Sequence, residues 1–185
     1  MKHLIVVTGG ARSGKSTFAE KIAKDCNCDV VYIATSIPFD DEMKARIKKH
    51  VEQRPAHWKT IEAYKDLDKH LAGIESGQAV YLLDCITIMI TNLMLEASID
   101  WDNASGSECD FVESRIKLEM EKLLKVVDEK DTTFILVTNE VGMGIVPENK
   151  LSRIFRDIAG RVNQMLAQAA DEVYFCVSGI PVKIK

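Results

Sequence analysis

No apolar run in the sequence approaches the ~18 residues a helix needs to cross a bilayer, so a helical membrane span is excluded. Met1-Lys2-His3 runs straight into a strand-like segment and not into the apolar region of a signal peptide; a cytoplasmic location is expected. The five cysteines, Cys26, Cys28, Cys85, Cys109 and Cys176, are odd in number and scattered, and they do not form a disulfide frame. Cys26-Asn27-Cys28 lacks a second cysteine pair at zinc spacing, which leaves free cysteines near a helix end as the reading. Positive charge is not in excess: 24 Lys and Arg stand against 28 Asp and Glu, a formal charge of -4. That balance argues against broad electrostatic binding to nucleic acid and favours a small partner held at a local anion-binding loop. Internal repeats and low-complexity tracts are also missing. What is present is an ordinary globular composition, 46% hydrophobic and 28% charged over 185 residues, enough to bury a substantial core. One domain covering residues 1–185 is expected.

Short, nearly continuous β-branched runs recur at Leu4 to Thr8, Val30 to Ala34, Ala79 to Asp84, Thr133 to Thr138 and Val173 to Val177, with a further short strand at Trp58 to Ala63. Continuous apolar runs of this length are strands buried on both faces. Helical periodicity fills the intervals: Ser16 to Lys24, Asp41 to Gln53, Leu67 to Ile74, Ile86 to Ala97, Phe111 to Asp128 and Leu151 to Ala170. Asp100 to Asp110, rich in Asn, Ser and Gly, reads as a surface loop. Strand-helix alternation predicts an α/β fold with a mostly parallel central sheet, three layers, and ligands at the carboxyl ends of the strands.

Gly9-Gly10-Ala11-Arg12-Ser13-Gly14-Lys15-Ser16 is a complete G-x-x-x-x-G-K-[ST] loop placed between the first strand and the first helix. Its glycines let backbone N–H groups approach phosphate oxygens, the helix N-terminus adds positive potential, Lys15 reaches the β- and γ-phosphates, and Ser16 can hold Mg²⁺. Four specified positions in the right strand-loop-helix context rarely arise by chance when Gly averages ~7% of residues. The fold class is therefore a P-loop NTPase of RecA-like, three-layer type.

Two acids compete for the metal side of such a loop. Asp84 ends the strand Ala79 to Leu83 and either approaches the metal or caps the helix beginning near Ile86. Glu140, in the segment Thr138-Asn139-Glu140-Val141-Gly142-Met143-Gly144, either lies at the phosphate edge or structures its own loop. On the helix Asp41 to Gln53, Met43, Ile47 and Val51 form an apolar stripe beside Arg46, His50 and Arg54. Such a stripe is ordinary as a solvated helix face. Chemically it offers more, because flanking guanidinium groups can hold phosphates and lower the imidazole pKa, leaving a neutral ring nitrogen able to attack phosphorus. His57 and His70 lack that arginine pattern. The loop Asn139 to Glu148 suggests substrate contact. Arg153, Arg156 and Arg161 could bind phosphate, although Asp157 offers ordinary helical pairing to Arg153 and Arg161, and Asn163, Gln164 and Gln168 read as helix surface or subunit contacts.

Together these residues resemble the bifunctional adenosylcobinamide kinase/adenosylcobinamide-phosphate guanylyltransferase family of cobalamin biosynthesis, over nearly the whole chain. The resemblance rests on Thr8 to Ser16, Tyr32-Ile33-Ala34-Thr35, Asp41-Glu42-Met43, Arg46-Ile47 with His50, Arg54-Pro55-Ala56-His57-Trp58, Asp84-Cys85-Ile86-Thr87, Asn92-Leu93, Thr138 to Pro147, and Phe155-Arg156-Asp157 with Gly160 and Asn163-Gln164. It implies NTP-dependent phosphorylation of the aminopropanol hydroxyl of adenosylcobinamide, then GMP transfer from GTP to that phosphate. It also implies that His50 carries the GMP, reversing the reading from position alone. Nucleotide contacts carried over by position fall on Gly9 to Ser16, on Ala34, Thr35 and Ser36, on Val51, Glu52, Gln53 and Arg54, on Glu62 and on Asp84. Glu62 would accept the guanine N1–H and N2–H donors, and Ser16 and Asp84 would stand on the metal side. Some relatives carry Glu where Asp84 stands. GTP, ATP and Mg²⁺ are the implied cofactors, a corrinoid the partner, and a homotrimer with active sites between subunits the assembly. Without the resemblance, the alternatives are a monofunctional P-loop small-molecule kinase or a non-catalytic nucleotide-binding module.

Overall fold

The computed structural model describes residues 2–37, 55–74 and 79–185; the expected helix Asp41 to Gln53, with His50, lies outside them. Seven strands form one sheet: β1 (His3–Gly9), β2 (Asp29–Ala34), β3 (Lys59–Glu62), β4 (Ala79–Asp84), β5 (Thr133–Val137), β6 (Glu172–Val177) and β7 (Ile180–Lys183). Their order is β3-β2-β4-β5-β1-β6-β7. All neighbours are parallel except β6 and β7. Among the described residues the helices are α1 (Lys15–Asp25), α2 (Leu67–Ala72), α3 (Ile86–Glu96), α4 (Gly106–Glu129) and α5 (Lys150–Ala169).

Alternate residues of the central strands β1, β2, β4 and β5 enter different cores, which is why these runs are apolar throughout. Leu4, Val6, Val31, Ile33, Tyr81, Leu83, Phe134 and Leu136 meet Met89 and Ile90 of α3, Ile116, Met120 and Leu123 of α4 and Val162 and Leu166 of α5. Ile5, Val7, Val30, Tyr32, Val80, Leu82, Ile135 and Val137 face the other way, toward Ala19 and Ala23 of α1 and Trp58. The small residues of α1 bring its axis close to the sheet, so the helix leaves the phosphate loop directly over β1, β4 and β5. The three-layer α/β architecture with a mostly parallel sheet is as the sequence predicts.

Two boundaries differ. Half of the expected loop Asp100 to Asp110 is helix, because Ser105 and Glu108 make a capping box: Glu108 N–H donates to Ser105 Oγ at 3.3 Å and Ser105 N–H to Glu108 Oε2 at 2.8 Å. The remainder is packed, not loose. Trp101 and Ala104 are buried, and Lys150 Nζ donates to the carbonyls of Asp102 and Ala104. At the other end, Ser178 (φ 52°) and Gly179 (φ 83°) make a two-residue hairpin turn that lays β7 along β6, a strand the apolar tail did not announce.

Candidate active site

The strand-to-helix loop from Gly9 to Ser16 closes at the carboxyl end of β1. Ser13 N–H and Lys15 Nζ both donate to the Gly10 carbonyl, at 3.3 and 3.0 Å, so the loop curls back over the lysine, which is 8% exposed. Two glycines are required by space. A Cβ on Gly9 would stand 2.5 Å from Ser13 Oγ and 2.6 Å from the Cys176 carbonyl. Gly14, at φ 90°, would place one 3.0 Å from Gly179 Cα. The β6–β7 turn thus buttresses the loop, and Gly179 N–H donates to Ser13 O at 2.9 Å. Arg12, also in the left-handed region, is exposed on the rim. Ser16 stands in the first turn of α1, half-buried.

Asp84 arrives from β4. Register places it beside Ala34 of β2 and Val137 of β5, and Val137 in turn beside Val7 of β1, so one strand separates it from the phosphate loop. The Asp84–Cys85 peptide bond is cis. Thr35 buckles this edge: its Oγ1 donates to Cys85 O at 2.8 Å and accepts from Cys85 N–H at 2.9 Å, and Asn92 Nδ2 donates to Thr35 O at 2.7 Å. The Thr35 side chain is therefore turned inward and buried, Ala34 before it joins the core on the α1 side of the sheet, and Ser36 after it is partly exposed. Burial, then the Asp84 carboxylate, pushes the Cys85 thiol up, while the Thr87 hydroxyl, a backbone N–H and the Lys15 charge oppose it. Burial likewise raises Cys176, against the pull of Lys15. Both thiols stay protonated packing groups at neutral pH, within the field of the phosphate-loop lysine.

Glu140 takes the loop-structuring alternative. Its carboxylate accepts from Gly142 N–H at 2.6 Å and Met143 N–H at 3.1 Å, and its own N–H donates to Gly9 O at 3.0 Å. Ser16 and Asp84 supply a hydroxyl and a carboxylate, hard oxygen donors that suit Mg²⁺ completed by phosphate oxygens and water. Beyond Ser36 the carboxyl ends of β2 and β3 open into a cleft of about 340 Å³, lined by Ala34, Thr35, Ser36, Ile37, Glu62, Ala63, Tyr64, Lys65 and His70. Ala34 to Ser36 and Glu62, far apart in sequence, are thus brought together. Tyr64, Lys65 and His70 join them; the spacing of these residues carries no signal that could have announced it.

Several readings change. His57 lies at the opposite, amino edge of the sheet, in a hollow of about 1120 Å³ with Cys26, Cys28, Val30, Trp58 and Val80. It is remote from the phosphate loop. Among the described residues no three His, Cys, Asp or Glu side chains group as metal ligands. Arg153 does not pair with Asp157: it donates to the carbonyls of Pro147, at 3.1 Å, and Glu148, closing the loop after β5. Arg161 instead grips Glu113 of α4, Nη2 donating at 2.7 Å. Asn163, expected on the helix surface, is bonded to Thr138 and Asn139. His50 and Val51 to Arg54 lie outside the described residues.

Residues 5–184 match the family described as cobinamide kinase / cobinamide phosphate guanyltransferase. The chain belongs to this family. The bifunctional adenosylcobalamin biosynthesis proteins CobU of Escherichia coli K12 and of Salmonella typhimurium LT2 are each 50% identical to it, covering 98% of this chain and 99% of theirs. CobP of Pseudomonas aeruginosa, of the same description, is 40% identical over 100% of this chain and 98% of its own. Among solved structures, a KaiC-like protein, PH0186 of Pyrococcus horikoshii OT3, matches at a TM-score of 0.49 and 15% identity, covering 94% of this chain and 70% of that one. As a member of the cobinamide kinase/guanyltransferase family the chain is an enzyme, and its phosphate loop, Asp84 and the cleft at Glu62 share one edge of the sheet.

Proposed function

We propose that the protein phosphorylates the aminopropanol hydroxyl of adenosylcobinamide and then converts the product to adenosylcobinamide-GDP through a GMP-histidine at His50. The observation that carries this reading is the common edge: a closed phosphate loop, an acid one strand away, and a cleft large enough for a base beside Glu62. In the first reaction the hydroxyl oxygen bonds to the γ-phosphorus of ATP or GTP, the bond from that phosphorus to the β-phosphate oxygen breaks, and the hydroxyl proton leaves to solvent. Lys15 and the loop N–H groups hold the phosphates and their developing charge. Mg²⁺, when bound at Ser16 and Asp84, neutralises phosphate charge.

In the second reaction a ring nitrogen of His50 bonds to the α-phosphorus of GTP and pyrophosphate departs. An oxygen of the cobinamide phosphate then bonds to that phosphorus as the P–N bond breaks, which frees the histidine for another turn. Arg46 and Arg54, one helical turn either side of His50 in sequence, would hold the α-phosphate and keep the imidazole neutral. Ala34, Ser36, Glu62 and Val51 to Arg54 would hold the nucleoside, with Glu62 accepting the guanine donors. A cytoplasmic homotrimer is part of the same reading; the exposed Met143, Ile145 and Val146, in the loop that follows β5, suit a site completed by a neighbouring subunit. To test it, the protein is incubated with adenosylcobinamide, Mg²⁺, ATP and GTP and the corrinoids are separated by chromatography and mass. The expected products are the phosphate followed by the GDP derivative. Unmodified cobinamide after long incubation would sink the reading.

A further inference from the structure

We propose that Asn139 is a positioning residue for phosphoryl transfer: it fixes the spacing between the phosphate loop and Asp84 by joining the strand that carries the loop to the first turn of the helix that follows Asp84. The inference rests on the kinase reading above. Strand β5 lies between β1 and β4, and Asn139 leaves it two residues after Val137, the residue flanked by Val7 and Asp84. The backbone on either side of Asn139 is stitched to the phosphate-loop strand: Thr138 N–H donates to Val7 O and Glu140 N–H to Gly9 O, each at 3.0 Å. Its side chain goes the other way. Nδ2 donates to Thr87 Oγ1 at 2.5 Å and lies 3.7 Å from Cys85 Sγ. Thr87 is buried in the first turn of α3, three residues beyond Asp84, and its hydroxyl is also 3.2 Å from Cys85 Sγ.

A third contact locks the joint from behind. Asn163 of α5 donates through Nδ2 to Asn139 O at 3.1 Å and accepts from Thr138 Oγ1 at 2.7 Å, so both ends of one amide clamp the dipeptide. The rest of the seam, Val7, Leu83, Leu136 and Val137, is apolar and needs no such device to be buried. A satisfied polar chain specifies geometry where apolar packing would only fill space. Geometry is what phosphoryl transfer requires, since a displacement of ~1 Å at the reacting groups can cost ~10²-fold in rate.

The test measures the kinase half-reaction at saturating NTP and cobinamide for Asn139→Ala, Thr87→Val, their double variant and Thr87→Ser, with Mg²⁺-free binding of a fluorescent GDP and Tm measured in parallel. Each of Asn139→Ala and Thr87→Val is expected to lower kcat by roughly 30- to 100-fold. The double variant should fall no more than about threefold below the weaker single, because both remove one coupling. Thr87→Ser, which keeps the hydroxyl, should restore most of the rate lost in Thr87→Val, and GDP affinity should stay within about twofold throughout. A filler role would instead move Tm and GDP affinity with kcat. An active wild type with unchanged variants, losses that multiply in the double variant, or no recovery in Thr87→Ser overturns the inference alone. A wild type that transfers no phosphoryl group overturns the kinase reading and this inference with it.

Discussion

Lys15 is buried, its Nζ donates to the Gly10 carbonyl, and its charge is felt by the buried thiols of Cys85 and Cys176. There a contact with a phosphate oxygen counts for more than it would in bulk water. A charged hydrogen bond of that kind contributes about 1.5–3 kcal/mol, so Lys15→Ala should weaken nucleotide binding by roughly 10- to 150-fold in a calorimetric titration. Unchanged affinity in a folded variant would contradict its role. Glu62 belongs at this scale too. If its carboxylate accepts the guanine donors, Glu62→Ala should reduce the preference for GTP over ATP by about 10- to 100-fold, read from competition against a fluorescent nucleotide; an unchanged preference would remove Glu62 from base recognition. The phosphate loop could be read from sequence because its chemistry is local, four specified positions within eight adjacent residues. Glu140 could not be settled that way: its two readings differ only in where its oxygens point, and those point at Gly142 and Met143. Asn139 carried even less signal, since its partners Thr87 and Asn163 are 52 and 24 residues away.

At the scale of elements, the same locality decides what the sequence reveals. Five strands follow from short apolar runs whose alternate residues enter cores on both faces of the sheet, whereas the edge strand β3, mostly exposed, rests on Ile61 and the neighbouring Trp58. The start of α4 was hidden by Gly106 and Ser107, loop-like in composition, although Ser105-x-x-Glu108 is a capping signature. Removing it should matter: Ser105→Ala is expected to cost about 1 kcal/mol, lowering Tm by roughly 2–4 °C for a chain of this length. A Tm unchanged within error would show that the cap adds nothing to folding. The box also titrates. The Ser105 hydroxyl and N–H, bonded to Glu108, hold its carboxyl below the ordinary glutamate value of 4.5. A carboxyl lowered by folding supports the folded state above its unfolded pKa and loses that support as pH falls through the folded value. Thermal stability should therefore show no contribution from Glu108 titration above about pH 5 and a decline below 4.5 that is shallower in Glu108→Gln, which keeps the cap without the titration. Identical acid limbs in the two proteins would contradict this. Strand β7 escaped notice because its four residues are exposed and take their register from the Ser178-Gly179 turn, not from a buried face.

Across the whole molecule, sheet order does what no single element can. Because β5 lies between β1 and β4, the phosphate loop and Asp84 face one another across one strand, and β2 and β3 carry Ala34 to Ser36 and Glu62 to the same edge. Alternation of strand and helix announces a parallel sheet but not its order, so the convergence became visible only in three dimensions. The proposed trimer is likewise beyond periodicity; light scattering after gel filtration should return three times the 20.7 kDa chain mass, and a monomer at micromolar concentration would contradict it. The central claim is that this one edge serves two chemistries, γ-phosphoryl transfer and attack by His50 on an α-phosphate. It is tested most directly by incubating the protein with Mg²⁺ and GTP labelled at the α-phosphate, denaturing it, and assaying bound label. Acid-labile, alkali-stable label that disappears in His50→Ala is the predicted result. Active protein that carries no such label, or a His50→Ala variant that still carries it, would contradict the mechanism.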